Sequence, residues 1–228
     1  MKSFLIIGIG EFGKHLAYKL QEMGNEVCIV DSNKSVVDAL SNDFENIYIV
    51  DCMNIAALKD FGVPNYHACI VAIGQNFQAS LEITSHLKDL GAKYIISKAN
   101  SDIQAKFLRM AGANEIVYPE KDIAEKIATK CDAQNLLDYL RISSLYSIYE
   151  VEVPKSWIDK NLLELNVRRK LNINVIAVLS NNEVNFPNAE YVFKAHDHVY
   201  IFGNNNIINK LKSVSYTHLR AHETLANL

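Results

Sequence analysis

The sequence predicts an α/β protein, a Rossmann-like doubly wound parallel sheet followed by a second, smaller α+β domain. Three observations predict this class. Short runs rich in β-branched residues alternate with helix-like stretches, a glycine-rich turn follows the first run, and near residue 146 the pattern changes to polar and apolar residues in alternation. The alternation in the first part is typical of a parallel sheet with helices on both faces.

The first strand and helix carry the strongest local signal. An apolar run from Phe4 leads into a G-x-G-x-x-G pattern at Gly8, Gly10 and Gly13, and a second apolar run over 27–30 ends at Asp31. Such glycines allow a tight turn and a close approach of backbone N–H groups to a phosphate, at the positive end of the next helix. We therefore predict a nucleotide site here, with an ordinary structural turn as the alternative.

The remaining elements follow in strict order. Strands are predicted over 47–50, 69–73, 94–97 and 115–118, and helices over 33–44, 54–61, 76–90 and 101–111, with a further helix starting at Pro119. Past residue 144, strands are predicted over 146–153, 175–179 and 198–202, with short helices over 160–164 and 167–170 and a closing helix over 204–212.

These elements divide the chain into domains. Residues 1–132 are predicted to form the nucleotide-binding domain, 133–144 a structured connection, and 145–213 the small α+β domain. Residues 214–228 do not continue the pattern and look like the translation of a sequencing adapter, so we expect a non-native tail.

Composition excludes several classes of function. With a formal charge of −3 and 21% charged residues, the chain has no excess of basic residues that would favour binding to nucleic acid or to an anionic membrane surface. The chain has no apolar stretch of membrane-spanning length and no signal region, so we expect a cytoplasmic protein. Its four cysteines lack a C-x-x-C pair and are expected to be small buried residues rather than disulfides or zinc ligands.

The candidate site lies where the strands end. Asp31 is the candidate partner of the ribose hydroxyls, with a strand-end cap as the alternative, and its charge disfavours NADP. Other residues at the same edge are candidates for nucleotide contact, although Asp51 and Asn76 are equally explained as caps of the turn or helix that follows, and Asn33 as part of a solvated helix start. The alternative for Phe12 is packing between the helix and the strand. The candidates are Gly8, Gly10, Glu11, Phe12, Gly13, Asp31, Ser32, Asn33, Asp51, Cys52, Ala72, Ile73, Gly74 and Asn76.

Five segments together resemble the regulator-of-potassium-conductance (RCK) family, which is built from TrkA-N and TrkA-C domains. They are IGIGEFG at 7–13, IVD at 29–31, VAIGQNFQAS at 71–80, YPEKD at 118–122 and LELNVR at 163–168. The resemblance extends over about residues 1–213. It is specific to the cytosolic regulatory subunits of Ktr/Trk-type bacterial potassium uptake systems.

The resemblance implies a function without turnover. Members of the family bind ATP and ADP, or NAD and NADH, in the first domain. They assemble as homodimers and then as an octameric ring, and they act on a separate membrane potassium channel subunit. A ligand can shift such an assembly only through its differential affinity for two states. The rival prediction is an NAD-dependent oxidoreductase, but the sequence offers no recognisable acid/base pair for one.

The resemblance also assigns roles to single residues. Lys98 matches a position near the nucleotide phosphates, with a surface lysine as the alternative. Glu120 matches a carboxylate that reaches Mg²⁺ near the terminal phosphate, with helix-dipole stabilisation as the alternative. Many relatives have arginine where this chain has Glu11, and a glutamate repels a terminal phosphate unless a cation intervenes.

In the second domain the resemblance points to a further ligand. Some relatives bind cyclic di-AMP at a dimer interface, at positions matched here by Arg168, Ile173, Asn174 and Pro187. The alternative for Arg168 and the two basic residues after it is a solvated helix face.

Overall fold

The computed structural model describes residues 1–132 and 136–206, which form two compact units. The first unit comprises Met1–Ile123, and the second begins at Ala124. Within the described residues, every helix is too short or too polar to cross a bilayer.

The first unit is a six-stranded parallel sheet in the order β3-β2-β1-β4-β5-β6, which confirms the predicted doubly wound fold. Because β1 pairs with both β2 and β4, the strand order reverses direction between β1 and β4. The strands are β1 (Ser3–Ile7), β2 (Glu26–Asp31), β3 (Asn46–Ile49), β4 (Ala68–Val71), β5 (Ile95–Lys98) and β6 (Glu115–Val117).

Helices connect these strands and cover the sheet. They are α1 (Glu11–Glu22), α2 (Lys34–Leu40), α3 (Ile55–Lys59), α4 (Phe77–Asp89) and α5 (Asp102–Ala111), followed by α6 (Pro119–Asp132). The alternation of side chains along a strand explains why both faces need cover: Leu5 and Ile7 of β1 are buried in one apolar cluster, and Ile6 is buried in another.

The second unit is built on a five-stranded antiparallel sheet in the order β10-β9-β11-β8-β7. Its core includes Trp157 and Phe193, whose ring centroids lie 5.5 Å apart, and the inward residues Val199 and Ile201. The elements are β7 (Leu136–Arg141), β8 (Tyr146–Glu152), α7 (Leu162–Leu165), α8 (Val167–Leu171), β9 (Asn174–Ser180), β10 (Glu183–Asn185) and β11 (His198–Asn204).

Three elements of the second unit differ from the sequence-based expectation. Half of the stretch expected as a connection is β7, an edge strand that pairs with β8, and the short strand β10 pairs with β9. The closing helix expected from residue 204 does not start there, because Asn204 ends β11 opposite Tyr146. Both strands depend on pairing with partners that local patterns do not reveal. Residues 207–212 of that expected helix, and the expected tail at 214–228, lie outside the described residues.

The cysteines are as expected at three of four positions. Cys28, Cys52 and Cys69 are buried, whereas Cys131 on α6 is exposed, which corrects the expectation for that residue. Burial raises the pKa of Cys28 above its usual value and raises those of Cys52 and Cys69 to about 12.

These thiols predict a loss of stability in alkaline solution. The unfolded chain releases the thiol protons near pH 9, whereas the folded chain keeps those of Cys52 and Cys69 until about pH 12. The stabilisation is therefore complete below pH 9 and declines between pH 9 and 12, by at most about 1.4 kcal/mol per pH unit for each thiol. Urea denaturation at a series of pH values should show this decline. Cys69→Ala should make it shallower and Cys131→Ala should not, and equal slopes in all three proteins would contradict the prediction.

Candidate nucleotide site

The main cleft of the first unit lies at the carboxyl ends of the strands, where the strand order reverses. Its volume is 540 Å³. Doubly wound sheets bind their ligands at this position because the connections on either side of it diverge to opposite faces. The lining residues come from the ends of β1 to β4 and from α4: Ile7, Gly8, Ile9, Gly10, Val30, Asp31, Ser32, Val50, Asp51, Cys52, Met53, Ala72, Ile73, Gly74, Gln75, Asn76, Ala79 and Ile83.

The three glycines of the turn have different reasons to be glycine. Gly8 has a φ of +93°, in the left-handed region that disfavours side chains. A Cβ on Gly13 would overlap with the carbonyl oxygen of Gly8, well inside the 3.0 Å that real Cβ atoms keep. A Cβ on Gly10, by contrast, would have no atom within 4 Å. Gly8 and Gly13 thus shape the turn, and Gly10 leaves open space beside its backbone.

The N-terminus of α1 differs from those of the four helices that follow it. The side chains of Asn33, Asn54, Asn76 and Ser101 accept hydrogen bonds from the first-turn N–H groups of α2, α3, α4 and α5. The N-cap of α1 is Gly10, which has no side chain to do so. The first-turn amides of α1 therefore remain available to an anion beside Gly10.

Asp31 ties the glycine turn to the end of β2. Its Oδ2 accepts a hydrogen bond of 2.7 Å from the N–H of Ile9, and its Oδ1 accepts one of 2.8 Å from the N–H of Asn33. Each carboxylate oxygen has a second lone pair, so a ribose hydroxyl can still donate to it. Asp31 is thus both a strand-end cap and a cleft residue, which leaves both roles considered for it open.

The end of β3 and the start of α4 add a partly apolar wall. Asp51 accepts a hydrogen bond of 3.0 Å from the N–H of Met53, and Asn76 caps α4 by accepting one of 3.1 Å from Ala79. Both also line the cleft. Cys52 is buried beside them, and burial, with the charges of Asp51 and Asp31, raises its pKa to about 12. Its thiol is therefore neutral and inert at neutral pH.

Four of the predicted candidates at the glycine turn and the start of α2 do not line the cleft. The Glu11 side chain is 88% exposed and lies 3.8 Å from His15 along the helix surface. Phe12 packs against the apolar cluster on one face of the sheet, and Gly13 packs against the backbone of Gly8 within the turn. Asn33 caps α2 by accepting a hydrogen bond of 3.0 Å from Ser35. Any contact of these residues with a ligand in the cleft must therefore come from their backbone or from a rotated side chain.

Lys98 and Glu120 line a second cavity of 360 Å³ at the ends of β5 and β6. Lys98 Nζ lies 2.6 Å from Glu120 Oε1. This contact, and hydrogen bonding of the Glu120 carboxylate to its own backbone, lower the pKa of Glu120. The second cavity shares Gly74 and Gln75 with the main cleft, so the two open onto the same loop.

Two polar residues near Gly74, on two different loops, were not among the sequence candidates. Gln75 lines both cavities, and the side-chain amide of Asn100 donates a hydrogen bond to the carbonyl oxygen of Gly74. Gln75 stands between two candidates on the strand edge, so its position was a usable signal. The role of Asn100 depends on the approach of two loops that are distant in sequence, and no local pattern reveals it.

The second-domain candidates are placed as follows. Arg168 is exposed on α8, and Asn174 is exposed at the first position of β9. Ile173 is completely buried in the core, so its side chain is not accessible to a ligand. Pro187 is partly exposed after β10. The grouping of these residues in one ligand site stays a prediction.

The described residues offer few donor atoms for a metal ion. The described residues contain no group of three or more His, Cys, Asp or Glu side chains close enough to hold an ion together. Glu120, the predicted magnesium ligand, is engaged by the Lys98 ammonium. These residues therefore do not form a ready-made Mg²⁺ site, and any ion there would have to take most of its ligands from a bound nucleotide and water.

A doubly wound domain with an open glycine turn, followed by an antiparallel α+β domain, defines a class of two-domain nucleotide-binding proteins. Comparison with known proteins identifies the family. The chain matches the TrkA-N domain over residues 4–119 and the TrkA-C domain over 148–214, and it belongs to this family.

Two Bacillus subtilis (strain 168) proteins are similar over nearly their whole length. The chain is 35% identical to the Ktr system potassium uptake protein C, covering 92% of this chain and 96% of that protein. It is 33% identical to the Ktr system potassium uptake protein A, covering 93% and 96%.

Solved structures agree with the fold. The GsuK RCK domain superimposes with a TM-score of 0.66 at 19% identity, covering 94% of this chain and 48% of that one. The GsuK channel bound to NAD gives 0.66 at 18% identity, covering 94% and 39%. The chain thus spans less than half the length of these structures, and the likeness confirms the RCK fold predicted from the sequence.

Proposed function

We propose that the protein is a nucleotide-binding regulatory subunit of a potassium transport system. The observation that carries this proposal is the uncapped start of α1, which faces a cleft beside Asp31 in a chain that belongs to the family of the Ktr potassium uptake proteins. The subunit binds ATP, ADP, NAD or NADH and alters the activity of a separate membrane channel subunit.

The proposed binding mode assigns one part of the cleft to each part of the ligand. The phosphates lie against Gly10 and the first-turn amides of α1, and Asp31 accepts hydrogen bonds from the ribose. The adenine lies between Asp51, Cys52 and the apolar side chains of Met53 and Ile83. The phosphates, the ribose and the adenine thus lie in turn at the glycine turn after β1, at the end of β2 and at the end of β3.

The charge of the cleft bears on which nucleotide is preferred. Asp31 and Asp51 line it, and its lining residues include no lysine or arginine. Backbone amides alone therefore balance the phosphates, and each further phosphate charge is less well compensated. We propose that NAD, NADH and ADP bind at least as tightly as ATP when divalent cations are absent. Mg²⁺ held by the phosphates themselves would reduce the difference.

Glu11→Arg is expected to raise the preference for ATP over ADP. Residue 11 is the first residue of α1, and an arginine side chain rotated from the helix surface towards the cleft would attract the terminal phosphate where glutamate would repel it. We expect an increase of about three- to tenfold in the ratio of the two affinities, measured by isothermal titration calorimetry in EDTA. Glu22→Arg, with the same change at the far end of the helix, is the control. A ratio that does not change in Glu11→Arg would show that the terminal phosphate lies elsewhere.

The absence of turnover is also part of the proposal. The described lining of the cleft contains no histidine, lysine or tyrosine placed as an acid or base. Titration of wild-type protein with ATP, ADP, NAD and NADH, combined with assays for phosphate release and hydride transfer, tests this. Saturable binding without product supports the regulator, and hydride transfer to any substrate would instead support an oxidoreductase.

The proposed partner is a membrane potassium channel subunit of the Ktr/Trk type. We propose that homodimers assemble into an octameric ring on the cytoplasmic side of that subunit. Copurification of the tagged protein with such a subunit, with and without ATP or ADP, tests the assembly. If the channel subunit is recovered in the same amount with and without the tagged protein, the proposed assembly is contradicted.

Cyclic di-AMP is proposed as a second ligand, at the second domain. Arg168 and the two following basic residues are exposed on α8 and suit a phosphodiester. Ile173 can take part only through its backbone, since its side chain is buried. Arg168→Ala should weaken cyclic di-AMP binding and leave ATP and ADP binding unchanged.

A further inference from the structure

A cavity of 430 Å³ lies at the amino ends of the first three strands, on the edge of the sheet opposite to the main cleft. Ser3, Glu26 and Asn46, which begin β1, β2 and β3, line it, and so do Asp60 and Phe61, which follow α3. This amino-end cavity has the size of a small-molecule site. It shares no lining residue with the main cleft, so a ligand in it would be separate from a nucleotide.

Three aromatic side chains line the amino-end cavity. The ring of Tyr48 lies edge-on to that of Phe61, with the ring centroids 5.5 Å apart and an angle of 71° between the planes. The third is Tyr66, whose hydroxyl donates a hydrogen bond to the buried thiol of Cys28 and is thereby anchored. The Tyr48 residue is 43% exposed. The faces of such rings attract cations, ammonium groups among them.

The charged side chains of the amino-end cavity are negative. Glu26 and Asp60 line it, and its described lining includes no lysine or arginine. Neither carboxylate makes a hydrogen bond or an ion pair within residues 1–132 and 136–206. An adjoining cavity of 400 Å³ also contains Glu26 and adds Asp43 and Glu45, again without a basic residue in its described lining. A cation that enters therefore meets two carboxylates without partners and further negative charge next to them.

The spacing of these carboxylates distinguishes between kinds of cation. A metal ion needs several ligands around one point. The described residues contain no group of three or more His, Cys, Asp or Glu side chains that could hold one. Carboxylates spread over two adjoining cavities instead match a chain that carries its positive charges several bonds apart. The methylene groups between those charges can pack against the aromatic rings, as the stem of a lysine side chain does on apolar surfaces.

We propose that the amino-end cavity binds a linear polyamine. One ammonium group lies among the three aromatic rings and pairs with Asp60, and the chain continues past Glu26 towards the adjoining cavity. The aromatic rings and the unpaired carboxylates complement the two parts of such a ligand, its methylene groups and its charges. This binding site goes beyond the proposed function and does not depend on it.

Calorimetric titration with spermidine, in about 0.15 M salt to screen diffuse attraction, is the test. Glu26→Gln and Asp60→Asn should each weaken spermidine binding about two- to fivefold, and the double variant should weaken it about 4- to 25-fold. Tyr48→Leu should weaken it about two- to fivefold, because a cation–π contact is lost. Glu82→Gln removes the same charge from α4, outside both cavities, and is the matched control.

Saturable spermidine binding that is weaker in the cavity variants and unchanged in Glu82→Gln would support the inference. No saturable binding to the wild-type protein, or equal weakening in Glu82→Gln, would overturn it. Equally tight binding of butylamine, which carries a single ammonium group, would also overturn it, as would equal displacement of spermidine by Mg²⁺ at the same concentration of charge.

The test stays decisive if one variant fails to fold. Glu26 and Asp60 are exposed, and their amide replacements have the same shape, so melting temperatures close to the wild-type value are expected. The two carboxylate variants therefore decide the outcome even if Tyr48→Leu is unstable. No arm requires a nucleotide, so failure of this inference is distinguishable from failure of the proposed function.

Discussion

Replacing Gly13 by alanine is expected to destabilise the first domain and to abolish measurable nucleotide binding. The added methyl group would overlap with the carbonyl oxygen of Gly8 and would lie 3.2 Å from the Cβ of Ala72. Backbone on one side and a buried strand end on the other leave it no space. Overpacking of this kind costs about 1–3 kcal/mol, and relief requires the turn to move away from α1. Thermal denaturation and calorimetric titration with ADP measure the two effects.

Gly10→Ala separates these two effects. A methyl group on Gly10 has no atom within 4 Å, so the melting temperature should stay at the wild-type value. Nucleotide binding should still weaken at least about tenfold, because the methyl group occupies the space where the phosphates approach the amides of α1. Wild-type affinity in Gly10→Ala would place the phosphates elsewhere, and wild-type stability in Gly13→Ala would contradict the packing at the turn.

Replacing Asp31 by alanine is expected to weaken adenine nucleotide binding about 10- to 100-fold. The substitution removes the acceptor for the ribose, and hydrogen bonds to a charged group contribute about 1.5–3 kcal/mol. It also leaves the N–H of Ile9 without its acceptor, which loosens the glycine turn. Asp38→Ala removes an equal charge from α2, the helix that follows β2, and is the control for electrostatics because Asp38 does not line the cleft.

The ribose role of Asp31 can be isolated with a second ligand. Wild-type protein should bind ADP more tightly than 2′,3′-dideoxy-ADP, and Asp31→Ala should bind the two with equal affinity. Such a cycle removes the effect of the loosened turn, because that effect is common to both ligands. If Asp31→Ala still distinguished the two nucleotides to the wild-type extent, the carboxylate would be a structural cap and the ribose would lie elsewhere.

The charge distribution suggests how one cleft can distinguish ligands that share an adenosine diphosphate. The main cleft has carboxylates and backbone amides but no basic side chain among its lining residues, and the nearby lysine is already paired. On the proposed binding mode, discrimination depends on what lies beyond the second phosphate rather than on how tightly the shared part is held. A regulator needs this property, because only differential affinity shifts an equilibrium between two states.

Sequence patterns predicted the first domain well because its signals are local. β-Branched runs, glycines at helix ends and Asn or Ser at helix starts each act within a few residues, and all six parallel strands were found in this way. The second domain was predicted less completely. β7 and β10 are edge strands, and their existence depends on partners rather than on their own alternation.

The candidate site also has features that were predicted from local patterns and features that depend on the tertiary structure. The order of strand ends was enough to bring Gly8, Asp31, Asp51 and Gly74 to one cleft, because parallel strands present their carboxyl ends at one edge. Side-chain direction was predicted only in part. Phe12 packs against a core, as the alternative for it expected, whereas the side-chain cap that Asn33 makes on α2 was not predicted.

The amino-acid sequence by itself determined the doubly wound fold, the position of the main cleft and the family, because short-range patterns fix strands, helices and glycine turns. Only the tertiary structure decided that α1 alone among α1 to α5 begins without a side-chain cap, and that Glu120 pairs with Lys98. The second contact joins residues far apart along the chain. Its strength depends on distance and burial, which no local pattern contains.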